Sequence, residues 1–162
     1  MTTSHNKVTF QQLLKRPACM LAYGFGSGLS PKAPGTMGTL VALPIYWLIQ
    51  DVWLFSFLLI SAVAFIAGIW ICQQAVNWLE KDDPSAVVWD EIVGYLVTMI
   101  AAPAGWQWML LGFVLFRLFD IWKPWPISWA DRKLHGGVGI MFDDVIAGVF
   151  AAVILQLCHY LL

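Results

Sequence analysis

The sequence predicts an all-α, polytopic integral membrane protein, in which re-entrant or short hairpin helices support a polar site on the cytoplasmic side. Three observations favour this fold class. Of the 162 residues, 60% are hydrophobic and 12% are charged, whereas a soluble chain carries about 25% charged residues. The apolar residues form continuous runs rather than the period-two alternation of a membrane β-barrel. The ten tryptophans suit the aromatic belts at membrane interfaces.

Three polar regions alternate with the apolar runs. The first, 24–38, reads GFGSGLSPKAPGTMG, and its glycines and prolines predict a loop. The second, 77–91, reads NWLEKDDPSAVVWDE, and the third and longest is 117–144. The final apolar run follows the third region to the end of the sequence.

The lengths of the apolar runs limit the number of membrane crossings. A helix needs about 20 residues to cross the hydrocarbon core. Run 52–76 is long enough, whereas run 39–50 is short and suits a re-entrant or tilted helix. Run 92–116 is compatible with one crossing, or with a hairpin that turns at the break Pro103–Gly105.

The positive charges favour two hairpins. Basic residues precede the first apolar run and recur in the third polar region, and the positive-inside rule places both groups in the cytoplasm. Hairpins over 39–76 and 92–116 bring all three polar regions to that face, whereas a single crossing through 92–116 would separate the second region from the third. The basic residues concerned are Lys7, Lys15, Arg16, Lys32, Arg117, Lys123, Arg132 and Lys133.

The chain is predicted to hold one membrane-embedded catalytic domain, 19–162, after a polar N-terminal segment, 1–18. The apolar stretch after that segment, CMLAYGFGSGLS, lacks a signal-peptide core and a small-residue cleavage site, so we expect the N-terminus to stay on the protein. The three cysteines are far apart, without metal-like spacing, and are expected to be packing residues. The net charge of -1 and the lack of a basic arm argue against nucleic acid as a partner, and no obligate protein partner is evident.

Paired acids at the edges of apolar runs indicate a cation site. Asp143 and Asp144 interrupt one run, and Asp90 and Glu91 begin another. Carboxylates in apolar surroundings recruit a cation or protonate, and ionisable residues in membranes are usually functional. Mg²⁺ binds protein carboxylates together with phosphate oxygens. The candidate catalytic residues are Asp90, Glu91, Asp120, Asp143 and Asp144, and those proposed to hold Mg²⁺ are Glu91, Asp120, Asp143 and Asp144, with Asp90 beside them.

The two neighbours in each acidic pair are expected to have different roles. Adjacent residues on a helix do not share a face, so one member of each pair is expected to bind metal while the other orients a partner or acts as a base. The sequence leaves open which member does which.

Basic and small residues near these acids suit a phosphate group. Known phosphatase motifs are missing: no cysteine precedes an arginine by six residues, no DxD pair occurs, and no Walker loop follows the glycines. The alternative is that these charged residues form solvated ion pairs without a catalytic function. The candidate phosphate-binding residues are Arg117, Lys123, Arg132, His135, Lys32 and Thr36.

Three stretches carry a resemblance to a known family. They are GFGSGLSPKAPGTMG, VVWDEIVGYLVT and FRLFDIWKPWPISWADRKLHGGVGIMFDDVIAGV. The chain resembles the bacterial phosphatidylglycerophosphatase A family from about Ala22 to the C-terminal apolar run. The resemblance implies a Mg²⁺-dependent hydrolase of the inner membrane of a Gram-negative bacterium, with its active site facing the cytoplasm. It implies cleavage of phosphatidylglycerophosphate to phosphatidylglycerol and inorganic phosphate in phospholipid biosynthesis.

Two other functions also fit parts of the sequence. An ion-coupled carrier would use intramembrane acids and broken helices, but the sequence shows no clear internal repeat, and its clustered bases suit phosphate better. A phosphotransferase that joins alcohols to nucleotide-activated lipids would also need Mg²⁺, yet the chain contains no Asp-Gly pair to begin that motif. For a hydrolase, the base is expected to be Asp144 or Glu91, and a covalent route through Asp120 or Asp143 stays open.

Overall fold

The computed structural model describes residues 8–161, and this part of the chain is helical without any strand. The prediction of an all-α fold is therefore confirmed. A short 3₁₀ helix, Gly24–Leu29, lies between the second and third α-helices. The α-helices are α1 (Phe10–Leu14), α2 (Pro17–Ala22), α3 (Pro34–Ile49), α4 (Leu54–Leu79), α5 (Trp89–Thr98), α6 (Trp106–Trp122), α7 (Ile127–Lys133) and α8 (Gly136–Leu161).

Two helices are long and apolar enough to cross a membrane. Helices α4 and α8 have 26 residues each, with mean hydropathies of 2.5 and 2.2. At about 1.5 Å per residue each exceeds the roughly 30 Å of a hydrocarbon core. Large apolar side chains on the outside of α4, such as Phe55 and Ile66, are exposed. Such a surface is compatible with membrane association.

The apolar run 92–116 is broken into two antiparallel helices. Glu91 faces Arg117 near one end of the pair, and the Tyr95 hydroxyl donates to the Met109 carbonyl further along it. At the turn, the Gln156 amide donates to the carbonyl of Ala101 over 2.7 Å. This bond satisfies a backbone acceptor in the turn between α5 and α6. The structure thus has the hairpin arrangement that the charge pattern favoured over one continuous helix.

Helix α8 is the centre of the bundle and packs against α4, α5, α6 and α7. Its glycines permit the closest approaches. A methyl group at Gly148 would lie 2.4 Å from the Gly94 carbonyl oxygen, so the backbones of α5 and α8 touch there. Small residues at helix interfaces allow this packing in membrane proteins. Helix α5 is enclosed as a result, and seven of its ten residues are buried.

Two polar regions are more helical than the sequence suggested. The prediction of a loop over 24–38 is wrong for Pro34–Gly38, which form the start of α3, because proline is well suited to the first helical turn. The third region comprises the end of α6, all of α7 and the first turns of α8.

The described part of the predicted N-terminal segment packs against the rest of the chain. Leu13 is fully buried in one core cluster with Tyr23 and Met141. Helix α2 runs across the predicted boundary between residues 18 and 19. Residues 1–7, which include Lys7 of the charge argument, lie outside the described residues.

Candidate active site

The three polar regions meet in one cleft of about 420 Å³. Helices α3, α5 and α8 begin at this end of the bundle, and α4 and α6 end there. The first region contributes Gly35 to the wall, the second contributes Asp90, and the third contributes Asp120 and Asp144. As expected, residues of all three polar regions lie together at one end of the bundle.

The cleft concentrates negative charge. The chain has ten aspartates and glutamates, and eight of them line this cleft. Arg117 and Lys123 are the lysines and arginines on its wall within the described residues. Mutual repulsion among so many carboxylates requires compensation by protons or by further cations. The lining acids are Asp82, Asp83, Asp90, Glu91, Asp120, Asp131, Asp143 and Asp144.

Three carboxylates at the floor of the cleft form a cluster that we call the acid trio: Asp90, Glu91 and Asp144. One oxygen from each lies within 4.8 Å of the other two. Asp90 and Glu91 stand in the first turn of α5. Asp144 is eight residues into α8, so it lies about 12 Å along that helix from its start. The close contact of α5 and α8 brings these helix faces together.

The acid trio fits a hard divalent cation. Asp90 Oδ1, Glu91 Oε2 and Asp144 Oδ2 are all buried and lack a hydrogen-bond partner among residues 8–161. Buried carboxylate oxygens without partners are strongly unfavourable. Oxygen ligands of this kind are those that Mg²⁺ binds in proteins. The residues present therefore match the cation that the sequence predicted.

Arg117 supplies positive charge beside the acid trio. Its guanidinium forms an ion pair with Asp120, one turn further along α6, and Nη1 lies 3.9 Å from Glu91 Oε1. Its Nε is buried without a hydrogen-bond partner in the described part of the chain. Arg117 therefore carries a guanidinium donor that none of residues 8–161 accepts from.

Gly35 explains why the first polar region needs a small residue. A methyl group there would lie 2.2 Å from Glu91 Oε1 and 3.1 Å from the Arg117 guanidinium. The start of α3 thus packs directly against the Glu91–Arg117 pair, where only hydrogen fits without displacement of a side chain.

Lys123 joins two further acids. It ends α6 with a left-handed backbone conformation, φ 46°. Its ammonium contacts Asp131 of α7 and donates to Asp143 Oδ2 of α8 over 2.7 Å. Burial alone would lower the pKa of Lys123, but the charges of Asp143 and Asp131 raise it above its usual value.

Asp82 caps the start of α8. One carboxylate oxygen accepts a hydrogen bond from the Gly136 backbone over 3.0 Å, and the other lies 3.2 Å from Nδ1 of His135. Both side chains are largely exposed at the mouth of the cleft. His135 therefore reaches the cleft as predicted, with an acidic partner beside it.

The structure brings together most of the predicted site residues. Three predicted phosphate-binding residues lie away from the cleft wall: Lys32, Thr36 and Arg132. The Arg132 guanidinium instead bonds the Ser128 carbonyl of its own helix. Because neighbouring residues on α7 do not share a face, Asp131 turns towards the cleft and Arg132 turns away. The lining residues that sequence reasoning did not select include Gly35, Asp82, Asp83, Ser85 and Asp131.

Fold and site together define a class of protein: a helical protein with exposed apolar helices and a carboxylate-rich cleft whose residues fit a divalent cation and a phosphate group. The chain belongs to the phosphatidylglycerophosphatase A family, whose sequence model matches residues 20–159. The family resemblance predicted from the motifs, and with it the phosphatase class, is confirmed.

Three relatives show the extent of the similarity. Phosphatidylglycerophosphatase A of Escherichia coli is 44% identical, covering 93% of this chain and 89% of its own length. The protein of that name from Haemophilus influenzae is 41% identical, covering 91% of each chain. A Bacteroides thetaiotaomicron protein, provisionally named phosphatidylinositol-3-phosphatase, is 39% identical over 92% of this chain and 99% of its own length. No solved structure matches the chain.

Proposed function

We propose that this chain hydrolyses phosphatidylglycerophosphate to phosphatidylglycerol and inorganic phosphate, with Mg²⁺ as cofactor. One observation carries the proposal beyond family membership. Among residues 8–161, three buried oxygens of the acid trio lack a hydrogen-bond partner, and so does Nε of the neighbouring Arg117. A phosphate monoester entering so acidic a cleft would be repelled unless a cation bridged it to the carboxylates.

In this mechanism Asp90, Glu91 and Asp144 would hold Mg²⁺. When bound there, the ion supplies charge neutralisation for the phosphate oxygens and orientation for a water molecule. The protein supplies the remaining groups. Arg117 donates to the transferring phosphoryl group, and Asp120 holds the guanidinium in place through its ion pair.

Asp143 is suited to position the attacking water. Its Oδ2 accepts from Lys123, whereas its Oδ1 is buried without a partner within the described residues. An acceptor fixed at one oxygen and free at the other can take a hydrogen bond, and then a proton, from water. With Asp144 and Glu91 assigned to the cation, Asp143 replaces them as the proposed base.

The same proposal includes a multi-pass orientation with the cleft at the cytoplasmic face of a bacterial inner membrane. Exposed tryptophans support two interfacial belts. Trp122 and Trp125 lie near the cleft end of the bundle. At the opposite end, Trp53 directly precedes α4 and Trp106 begins α6. Ile121, exposed on the wall of the cleft, would contact the lipid near its head group.

The test is phosphate release by the purified protein in detergent, with Mg²⁺ and with chelator, for wild type and two variants. Asp144→Asn is expected to lose more than about 100-fold in rate, because loss of a supporting partner alone costs 10–100-fold at metal sites. Asp51→Asn is the matched control, since Asp51 is exposed in the turn between α3 and α4. Release that is equal in chelator, or that survives Asp144→Asn, would contradict the mechanism.

The assay also separates the remaining candidates. Release without an ion gradient would exclude transport as the sole activity. Phosphatidic acid and phosphatidylinositol 3-phosphate, offered in parallel, would show whether the head group is discriminated.

A further inference from the structure

The cleft contains a second pair of neighbouring acids, Asp131 and Asp143. Unlike the acid trio, this pair contacts a lysine ammonium through both of its carboxylates. The Lys123 ammonium contacts Asp131 of α7 and Asp143 of α8 at the same time. Both carboxylates therefore face a single point in space, although they come from different helices. Asp143 is 6% exposed, so its charge is poorly screened by water.

Two carboxylates that converge on one point are a typical protein contribution to a hard divalent ion. In many phosphate-cleaving sites two such ions lie about 3.5–4 Å apart. In this cleft the Lys123 ammonium lies where two carboxylates, those of Asp131 and Asp143, converge. An ammonium carries one positive charge and donates up to three hydrogen bonds, which is enough to satisfy one oxygen of each acid.

We propose that Lys123 is a built-in cation that takes the place of a second divalent ion, so that the cleft binds a single ion, at the acid trio. This inference rests on the proposed function. Lys123 is then a positioning residue: it holds Asp143 by Oδ2 and keeps it out of the metal's ligand set. The buried Oδ1, without a partner among residues 8–161, stays free for water.

The test counts bound ions directly. Purified protein in detergent is titrated with Mn²⁺, and free Mn²⁺ is followed by electron paramagnetic resonance, with thermal melting as a check on folding. Wild type is expected to bind one ion. Lys123→Met is expected to bind two, because its two acids then face a site without a cation. The second ion is expected to disappear again in Lys123→Met combined with Asp143→Asn.

Two variants control for general effects. Lys133→Met removes an exposed lysine of α7 that does not line the cleft, and it is expected to leave one ion bound. Lys123→Arg keeps a cation in place and is expected to restore the count of one. If Lys123→Met does not fold, Asp143→Asn alone decides: it should retain the single ion with unchanged affinity.

The outcomes separate the two proposals. Two ions in wild type, one ion in a folded Lys123→Met, or loss of the ion in Asp143→Asn would overturn the role of Lys123. A wild type that binds no Mn²⁺ would instead overturn the proposed cation site at the acid trio.

Discussion

Gly35→Ala tests how closely the start of α3 packs against Glu91, a proposed ligand of the cation. A methyl group at this position would lie 2.2 Å from Glu91 Oε1. A carbon and an oxygen that are not bonded need about 3.3 Å between them, so the carboxylate must move by about 1 Å. The backbone of Gly35 is helical, and alanine is favoured over glycine in a helix by up to about 1 kcal/mol. The moving atoms are the end of a flexible side chain, so the fold is expected to tolerate the change.

The expected cost falls on activity rather than on stability. A displacement of about 1 Å in a catalytic group can cost about 100-fold in rate. We expect phosphate release from phosphatidylglycerophosphate to fall by about that factor and Mn²⁺ affinity to weaken, while the melting temperature stays close to that of wild type. Met37→Ala is the control, because Met37 is exposed on the same helix and does not line the cleft.

Two results would refute this reasoning. Activity within twofold of wild type would mean that Glu91 does not need its observed position. A large fall in melting temperature together with unchanged activity per folded molecule would assign Gly35 a packing role instead.

Three further predictions concern charge geometry, packing and topology. Arg117→Lys keeps the charge but loses the planar guanidinium, so the rate at saturating substrate should fall about 10- to 100-fold while the protein stays folded. A steady-state assay measures this fall, and an unchanged rate would contradict the role of the guanidinium. Gly148→Ala pushes a methyl group against the Gly94 carbonyl and should destabilise the protein by about 1–3 kcal/mol, seen as a lower denaturation midpoint. In a cysteine-free background, Lys81→Cys should react with an impermeant thiol reagent from the cytoplasmic side and Asp51→Cys from the other side; labelling of both from one side would refute the hairpin topology.

Much of the fold could be read from composition. Continuous apolar runs with few charges leave helices as the way to satisfy backbone polar groups in lipid. The break at Pro103–Gly105 predicted the turn between α5 and α6, because proline and glycine disrupt helical hydrogen bonding. Hydropathy and helix breaking depend on residues close together in the chain, so both can be predicted directly from the sequence.

The helical content of the polar regions was harder to read. Pro34 and Gly35 look like loop residues, yet they begin α3 because its first turn needs no backbone donor at the proline and no side chain against Glu91. The same residues would favour a turn in another context, so the packing against α5 decides between the two outcomes.

The sequence by itself determined that acids lie at the edges of apolar segments and that the chain belongs with a phosphatase family. The expectation that one member of each pair faces a metal fits Asp143 and Asp144 but not Asp90 and Glu91, which both join the acid trio. Only the tertiary structure decided which side chains meet: Asp144 joins Asp90 and Glu91, while Asp143 turns to Lys123. The physical reason is that helical neighbours point about 100° apart, and the helix each one meets depends on contacts between residues far apart in the chain. The glycine contact between α5 and α8, and not any local pattern, brings the acid trio together.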